Sequence, residues 1–182
     1  MSKVAIKGAA TGTGVFTLES PATNTNRTLV LPDEAGTVLT TAGVPASAMP
    51  AGSVIQVVHG FSTTVVSGTS SATIISVSIT PSSASNKILV ISSAALDTVA
   101  SSNAYSDLRI HRNGTQIMYQ YAGNSGSGGG NVNSPYGLSI VDSPSSTSAV
   151  TYSLVGGKAS GGTVSWTTAG SGYSLVLLEI AA

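Results

Sequence analysis

Tyr105-Ser106-Asp107-Leu108-Arg109-Ile110-His111-Arg112-Asn113-Gly114-Thr115-Gln116-Ile117-Met118-Tyr119 is the stretch that decides the fold class. Asn-Gly is the preferred central pair of a type I′ turn, whose twist matches that of two antiparallel strands. A two-residue loop at Asn113-Gly114 sets Arg112 opposite Thr115, His111 opposite Gln116 and Ile110 opposite Ile117. Leu108 then falls opposite Tyr119 on the same apolar side. Asp107, Arg109, His111, Gln116 and Met118 fall on the wetter side. Turn chemistry and period-two alternation agree, so a β-hairpin is expected here.

The same alternation recurs on both sides of the hairpin. In Thr73–Thr80, Ile75, Val77 and Ile79 share one face, and Ser76, Ser78 and Thr80 the other. Strand-like runs also occupy Val54–Val58, Lys87–Ile91, Tyr136–Val141, Ala149–Val155, Thr163–Thr167 and Tyr173–Ile180, with turn signals such as Pro81-Ser82-Ser83 between many of them. No window sustains apolar residues at helical spacing. Many short strands with frequent turns predict an all-β chain, an antiparallel β-sandwich or jelly roll, over residues 53–182.

The first forty residues read differently. Val4–Lys7, Gly14–Leu18, Thr28–Leu31 and Thr37–Leu39 are short strand-like pieces divided by Gly and Pro. They hold too few large apolar residues to close a core, and a few isolated strands need a partner surface. Residues 1–41 are therefore expected to form an extended strand-turn arm ordered by a neighbouring subunit or docking surface. The small-residue, Pro-punctuated stretch 42–52 is expected to be a linker. Val4, Ile6, Val15, Phe16, Leu18, Leu29 and Leu31 are the arm's candidate docking and subunit-exchange contacts.

Composition narrows the function. Only 8% of the 182 residues are charged, against roughly 25% in ordinary globular domains. Seven basic residues balance seven acidic ones, so no long-range field draws nucleic acid or anionic lipid to the chain. No nucleic-acid partner and no membrane insertion are expected. With no cysteine, thiolate catalysis, thiolate zinc sites and disulfides are excluded together. Polarity comes from Ser, Thr, Asn and Gly, which suits subunits packed at high local density, where like charges would repel.

Gly14-Val15-Phe16-Thr17-Leu18 followed by Asn24–Leu39 resembles a segment common in bacteriophage fibre and virion proteins. Pro50–Gln56, Asn86–Val90, Leu108–Thr115 and Leu175–Ile180 resemble distal phage β-domains. The resemblance implies a structural virion protein, usually a homotrimer, made in the bacterial cytoplasm and carried on the particle. The strand-turn segment begins almost at Met1, which favours a capsid cement or decoration protein on the outer capsid surface, with the major capsid protein as partner. The alternative is a tail-fibre or tailspike tip that recognises host cell-surface glycan. The trimer comes from the resemblance alone, since no heptad pattern specifies it.

Catalytic signals are sparse. His59 and His111 lack a nucleophile elbow or an oxyanion hole beside them. A glycan hydrolase would need two carboxylates at a controlled separation, yet Asp97, Asp107, Asp142 and Glu179 lie in separate elements. Glu179 is expected to face solvent or a subunit contact. No metal or nucleotide motif is present, so the chain is read as a non-enzyme without cofactors. A carbohydrate contact has more support. Tyr119, Tyr121 and Tyr136 flank the glycine-rich stretch Ala122–Asn133, expected to be a flexible loop. Tyr121, Asn124, Asn131, Asn133 and Tyr136 are its candidate glycan contacts, because aromatic faces stack on sugars and Asn both donates and accepts hydrogen bonds. Trp166 is expected in the core or at a subunit interface.

Overall fold

The computed structural model describes residues 10–15, 17, 22–26, 28, 44–99, 105–124, 132–160, 163–166 and 171–182. The chain divides into two compact units, Met1–Val38 and Leu39–Ala182. In the first, Val15 is exposed and the Thr25 amide donates to Thr23 Oγ1 at 3.1 Å. Val4, Ile6, Phe16, Leu18, Leu29 and Leu31 lie outside the described residues.

Among its described residues the second unit carries ten strands in chain order: β1 Val54–Ser62, β2 Ser67–Gly68, β3 Ala72–Ile79, β4 Lys87–Val99, β5 Tyr105–Arg112, β6 Thr115–Asn124, β7 Val132–Asp142, β8 Val150–Ser160, β9 Thr163–Ser165 and β10 Tyr173–Ile180. One sheet has the order β1-β10-β4-β7, and the small pair β9-β2 continues from the far end of β4. The other sheet has the order β3-β8-β5-β6, and every pairing in both sheets is antiparallel. β10 and β8 each insert between strands far from them in sequence, so the eight long strands form a jelly roll. Residues 44–52 hold a 3₁₀ turn at Ala46–Ala48 and then run against the last strand: the Gly52 amide donates to Ala181 O and the Ala181 amide to Ser53 O, both at 2.9 Å.

Alternation places the core between the sheets. Ile88, Val90, Leu138, Leu175 and Leu177 face Val77, Ile79, Leu108, Ile110, Tyr152 and Leu154. Trp166 is fully buried among them, consistent with its expected core position. Its ring lies over Gly156, where any Cβ would collide with the indole. Its Nε1 has no hydrogen-bond partner among the described residues.

The hairpin forms at the expected turn, with Asn113 and Gly114 at φ 48° and 83°. Asn113 also ties the tip to β8, accepting the Thr151 amide on Oδ1 at 2.9 Å. Two pairs of the expected register hold, Arg112 with Thr115 and His111 with Gln116. A bulge then intervenes, so Ile110 pairs with Met118, Arg109 with Tyr119 and Asp107 with Tyr121. One extra residue reverses every later side chain on the bulged strand. Met118 therefore turns towards the core, and Tyr119 goes to the outer face instead of joining Leu108. A bulge between Thr73 and Ile75 likewise buries Ile74 more deeply than Ile75. The stretch expected as a loop is partly strand, since β6 continues to Asn124 and β7 begins at Val132.

Two polar clusters close the sandwich. Asp142 at the end of β7 takes Arg112 Nη1 at 2.9 and 3.0 Å and the Tyr152 hydroxyl at 2.6 Å, joining one sheet to the other. Burial, reinforced by Asp142, pushes the Tyr152 hydroxyl far above its ordinary pKa. Glu179 departs from the solvent-facing expectation, being fully buried. Its Oε1 accepts the Ser82 amide at 2.7 Å, Ser82 Oγ at 2.8 Å and Asn86 Nδ2 at 2.6 Å, and its Oε2 accepts Gln56 Nε2 at 2.5 Å. Burial alone raises the carboxyl pKa, but the bonds from Asn86, Gln56 and Ser82 outweigh it and hold the group below its ordinary value.

A carboxylate held below its unfolded pKa stabilises the fold above that unfolded value, and the contribution disappears as pH falls through the folded one. Glu179→Gln sets an amide donor against the existing donors, at a cost of about 2 kcal/mol near neutral pH. Urea unfolding should show this loss together with a flatter decline in stability below about pH 4. An unchanged acid slope would contradict the assignment.

Candidate functional site

Two outer faces remain once the core is assigned, and they differ in chemistry. On the outer face of β1-β10-β4-β7, pairing aligns Val57, Leu178, Leu89 and Val141 in one row across the four strands. The next row is His59, Val176, Ile91 and Ser139, and Phe61 follows along β1. His59 is thus a mid-strand residue on this face. Val57, Phe61, Ile91 and Val141 are 41–61% exposed. Scattered exposed apolar residues are ordinary, but a contiguous apolar row across a sheet marks a contact surface. The row gives way to hydroxyls at Ser93 and Ser174, whose Oγ atoms lie 2.9 Å apart.

The outer face of β3-β8-β5-β6 is polar. Ser76 and Ser153 hydroxyls pair across strands at 2.8 Å, as do those of Ser78 and Thr151. Further along, Arg109 binds Asp107 through two bonds, Nε to Oδ1 and Nη2 to Oδ2, each 2.7 Å. The Asp107 bond raises the guanidinium pKa despite opposing burial. Asp107, placed on the wetter side by alternation, is nevertheless buried. It sits against Gly157 of β8, where a Cβ would strike its carboxylate and the Arg109 guanidinium. Beside this pair, Tyr119 and Tyr121 meet edge to face, with ring centroids 5.9 Å apart and planes at 80°. Asp107, Arg109, Gln116, Tyr119 and Tyr121 line a shallow depression of about 320 Å³.

Of the expected glycan contacts, Tyr121 and Tyr136 fall on different faces. Tyr121 stands on the outer face of β6, while Tyr136, paired with Ala94, packs against the core. The reason is strand alternation: Tyr136 shares the inward face of β7 with Leu138 and Ile140. Asn124 and Asn133 fall within β6 and β7. Asn131 lies outside the described residues. Sequence reasoning turned Tyr119 towards Leu108 and missed the Arg109–Asp107 pair as a neighbour of Tyr119 and Tyr121, because only the bulge puts the ion pair and the two tyrosines on one face. Of the four carboxylates weighed for hydrolysis, Asp107, Asp142 and Glu179 are each engaged in a separate network with Arg109, with Arg112 and Tyr152, and with Gln56, Ser82 and Asn86. Among the described residues no group of three or more His, Asp or Glu side chains could hold a metal, and no helix is long and apolar enough to cross a membrane.

No protein-family model matches the chain, and no curated protein matches it in sequence. Among solved structures it is similar to the VP2 subviral particle of infectious bursal disease virus, at TM-score 0.37 and 15% identity over 71% of this chain and 38% of that chain. Structures of the Gt and Gx strains of the same virus give TM-scores of 0.35 and 0.37 at 16% and 15% identity, over 71% of this chain and 39% and 37% of theirs. The jelly-roll assignment rests on the strand order.

Gly157→Ala should force Asp107 and Arg109 apart and cost about 1–3 kcal/mol in urea unfolding. Gly14→Ala, with open space at its Cβ, should leave stability unchanged. Equal effects would remove the close approach at Gly157 as the reason for its glycine.

Proposed function

We propose that the chain is a structural virion protein, a cement or decoration subunit that sits as a trimer on the outer capsid surface and reinforces it. The observation that supports this reading is the apolar outer face of β1-β10-β4-β7, with Val57, Phe61, Ile91 and Val141 exposed across neighbouring strands. An apolar face covered by the major capsid protein or a neighbouring copy gains about 25 cal/mol per Å² removed from water. Symmetry repeats that contact around the assembly, so a modest interface holds firmly. The low charge density lets copies crowd on a shell without mutual repulsion. The arm adds a second attachment through its Val, Ile, Phe and Leu residues.

The expected copy number in purified virions is comparable to that of the major capsid protein, measured by quantitative mass spectrometry; a ratio of a few per cent would instead make the chain a fibre component. Ile91→Asp places a charge in the middle of the apolar rows at an already exposed position, so thermal stability should change little. Co-sedimentation with capsids should fall about tenfold or more, as expected when a charge is buried unpaired at an interface. Deletion of residues 1–41 should likewise release the protein from capsids. Wild-type attachment by both variants would sink the reading.

A further inference from the structure

We propose that the opposite face, the outer surface of β3-β8-β5-β6, carries a binding site for a neutral pyranose sugar, with Tyr119 and Tyr121 as its stacking platform and Arg109, Asp107 and Gln116 as its hydrogen-bonding edge. This goes beyond the virion reading and does not depend on it.

The two tyrosines are the first support. They stand on one face of edge strand β6, 56% and 62% exposed, in contact with each other and outside the core. An edge-to-face pair holds both rings in place while leaving ring surface open to solvent. Such a fixed, bare ring face is what the C–H face of a pyranose stacks on, and little side-chain entropy remains to be lost on binding.

The ion pair is the second support. Arg109 uses Nε and Nη2 on Asp107, which leaves its Nη1 hydrogens without a hydrogen-bond partner among the described residues, on the more exposed half of the pair, while the largely buried Asp107 carboxylate still lines the depression. An open donor edge therefore lies beside a recessed acceptor, an arrangement that meets sugar hydroxyls, each able to donate and accept. Gln116 adds one more group of both kinds to the rim. The pair is held before any ligand arrives, because Asp107 is buried against Gly157.

Charge selects among saccharides. Arg109 is neutralised by Asp107, so no unbalanced cation is left to attract a uronate, sialate or phosphate. The depression, about 320 Å³, lies at the small end of the roughly 300–1,000 Å³ typical of ligand sites. It suits a single ring bound weakly, with strength recovered through several copies on one particle.

The test is saturation-transfer NMR on the full-length protein with methyl glycosides of glucose, galactose and mannose, and with glucuronic and N-acetylneuraminic acids as anionic probes. At least one neutral glycoside should bind saturably with Kd of order millimolar, and Tyr119→Ala and Tyr121→Ala should each weaken it about tenfold. Tyr121→Phe keeps the ring and should keep most of the binding. Arg109→Lys keeps the charge but loses the fork, and should weaken binding. Ser76→Ala, on the same face but outside the depression, should have no effect. Binding of anionic probes only, binding indifferent to both alanine variants, or no saturation by any neutral glycoside up to about 50 mM would each overturn the assignment.

Discussion

The buried carboxylate of Glu179 is the interaction on which the rest of the structure depends, because it decides which way β10 faces. Both faces of that strand are apolar: Leu175 and Leu177 alternate with Val176 and Leu178. Hydrophobic pattern alone does not separate Tyr173, Leu175 and Leu177 with Glu179 from Val176, Leu178 and Ile180 with Ser174. A one-residue slip would exchange the two faces of the strand. The four donors from Gln56, Ser82 and Asn86 exist only on the inner side, so Glu179 facing out would leave them without their acceptor. Those donors come from β1 and from the turn between β3 and β4, so one carboxylate joins three parts of the chain. Asn86 then accepts the amide of Ala182 at 3.2 Å, fixing the end of the strand.

With β10 fixed in the middle of its sheet, its neighbours follow. β4 pairs with it through residues 87–93 and with β7 along nearly its whole length, so the inner and outer sets of three strands are set together. Asp142, in the same cross-strand row two strands from Glu179, repeats the device, with Arg112 and Tyr152 of the opposite sheet converging on it. Buried polar groups satisfied in this way specify register more than they add net stability. The apolar outer row of Val57, Leu178, Leu89 and Val141 thus shares its register with a polar interaction on the inside.

Much of the fold could be read from the sequence, and the limits have physical causes. The Asn113-Gly114 turn was legible because it requires two positive φ angles that few other residue pairs accept. The all-β class was legible because alternation repeats over many short segments. The bulge after His111 was not, since both Ile117 and Met118 are acceptable inward residues and nothing local marks the extra one. That single residue moved Tyr119 from the expected core to the surface and created the depression with Arg109. Glu179 was misread for a related reason: its partners lie 93–123 residues away, and a charged residue in a strand reads locally as solvent-facing. A candidate signal was present in Ser82 and Asn86 flanking one turn, but only topology brings them to β10. The arm's candidate contacts fall almost entirely outside the described residues, so the structure bears on them only at exposed Val15.

The contrast between the two outer faces follows from what a jelly roll leaves over. A single sandwich buries one face of each sheet, and both remaining faces should be polar if both meet water. Here one has become apolar across its middle, while the other keeps hydroxyl ladders and a neutralised ion pair. The alignment of apolar residues in rows on β1, β10, β4 and β7 is the pattern of a surface that meets another surface, and leaving it bare would invite aggregation of a chain with so little charge to keep copies apart. On the proposed reading, a partner covers that side and leaves the polar side, with Tyr119 and Tyr121, facing outward. The two proposed surfaces would then lie on opposite sheets, so that a substitution at one tests it without touching the other.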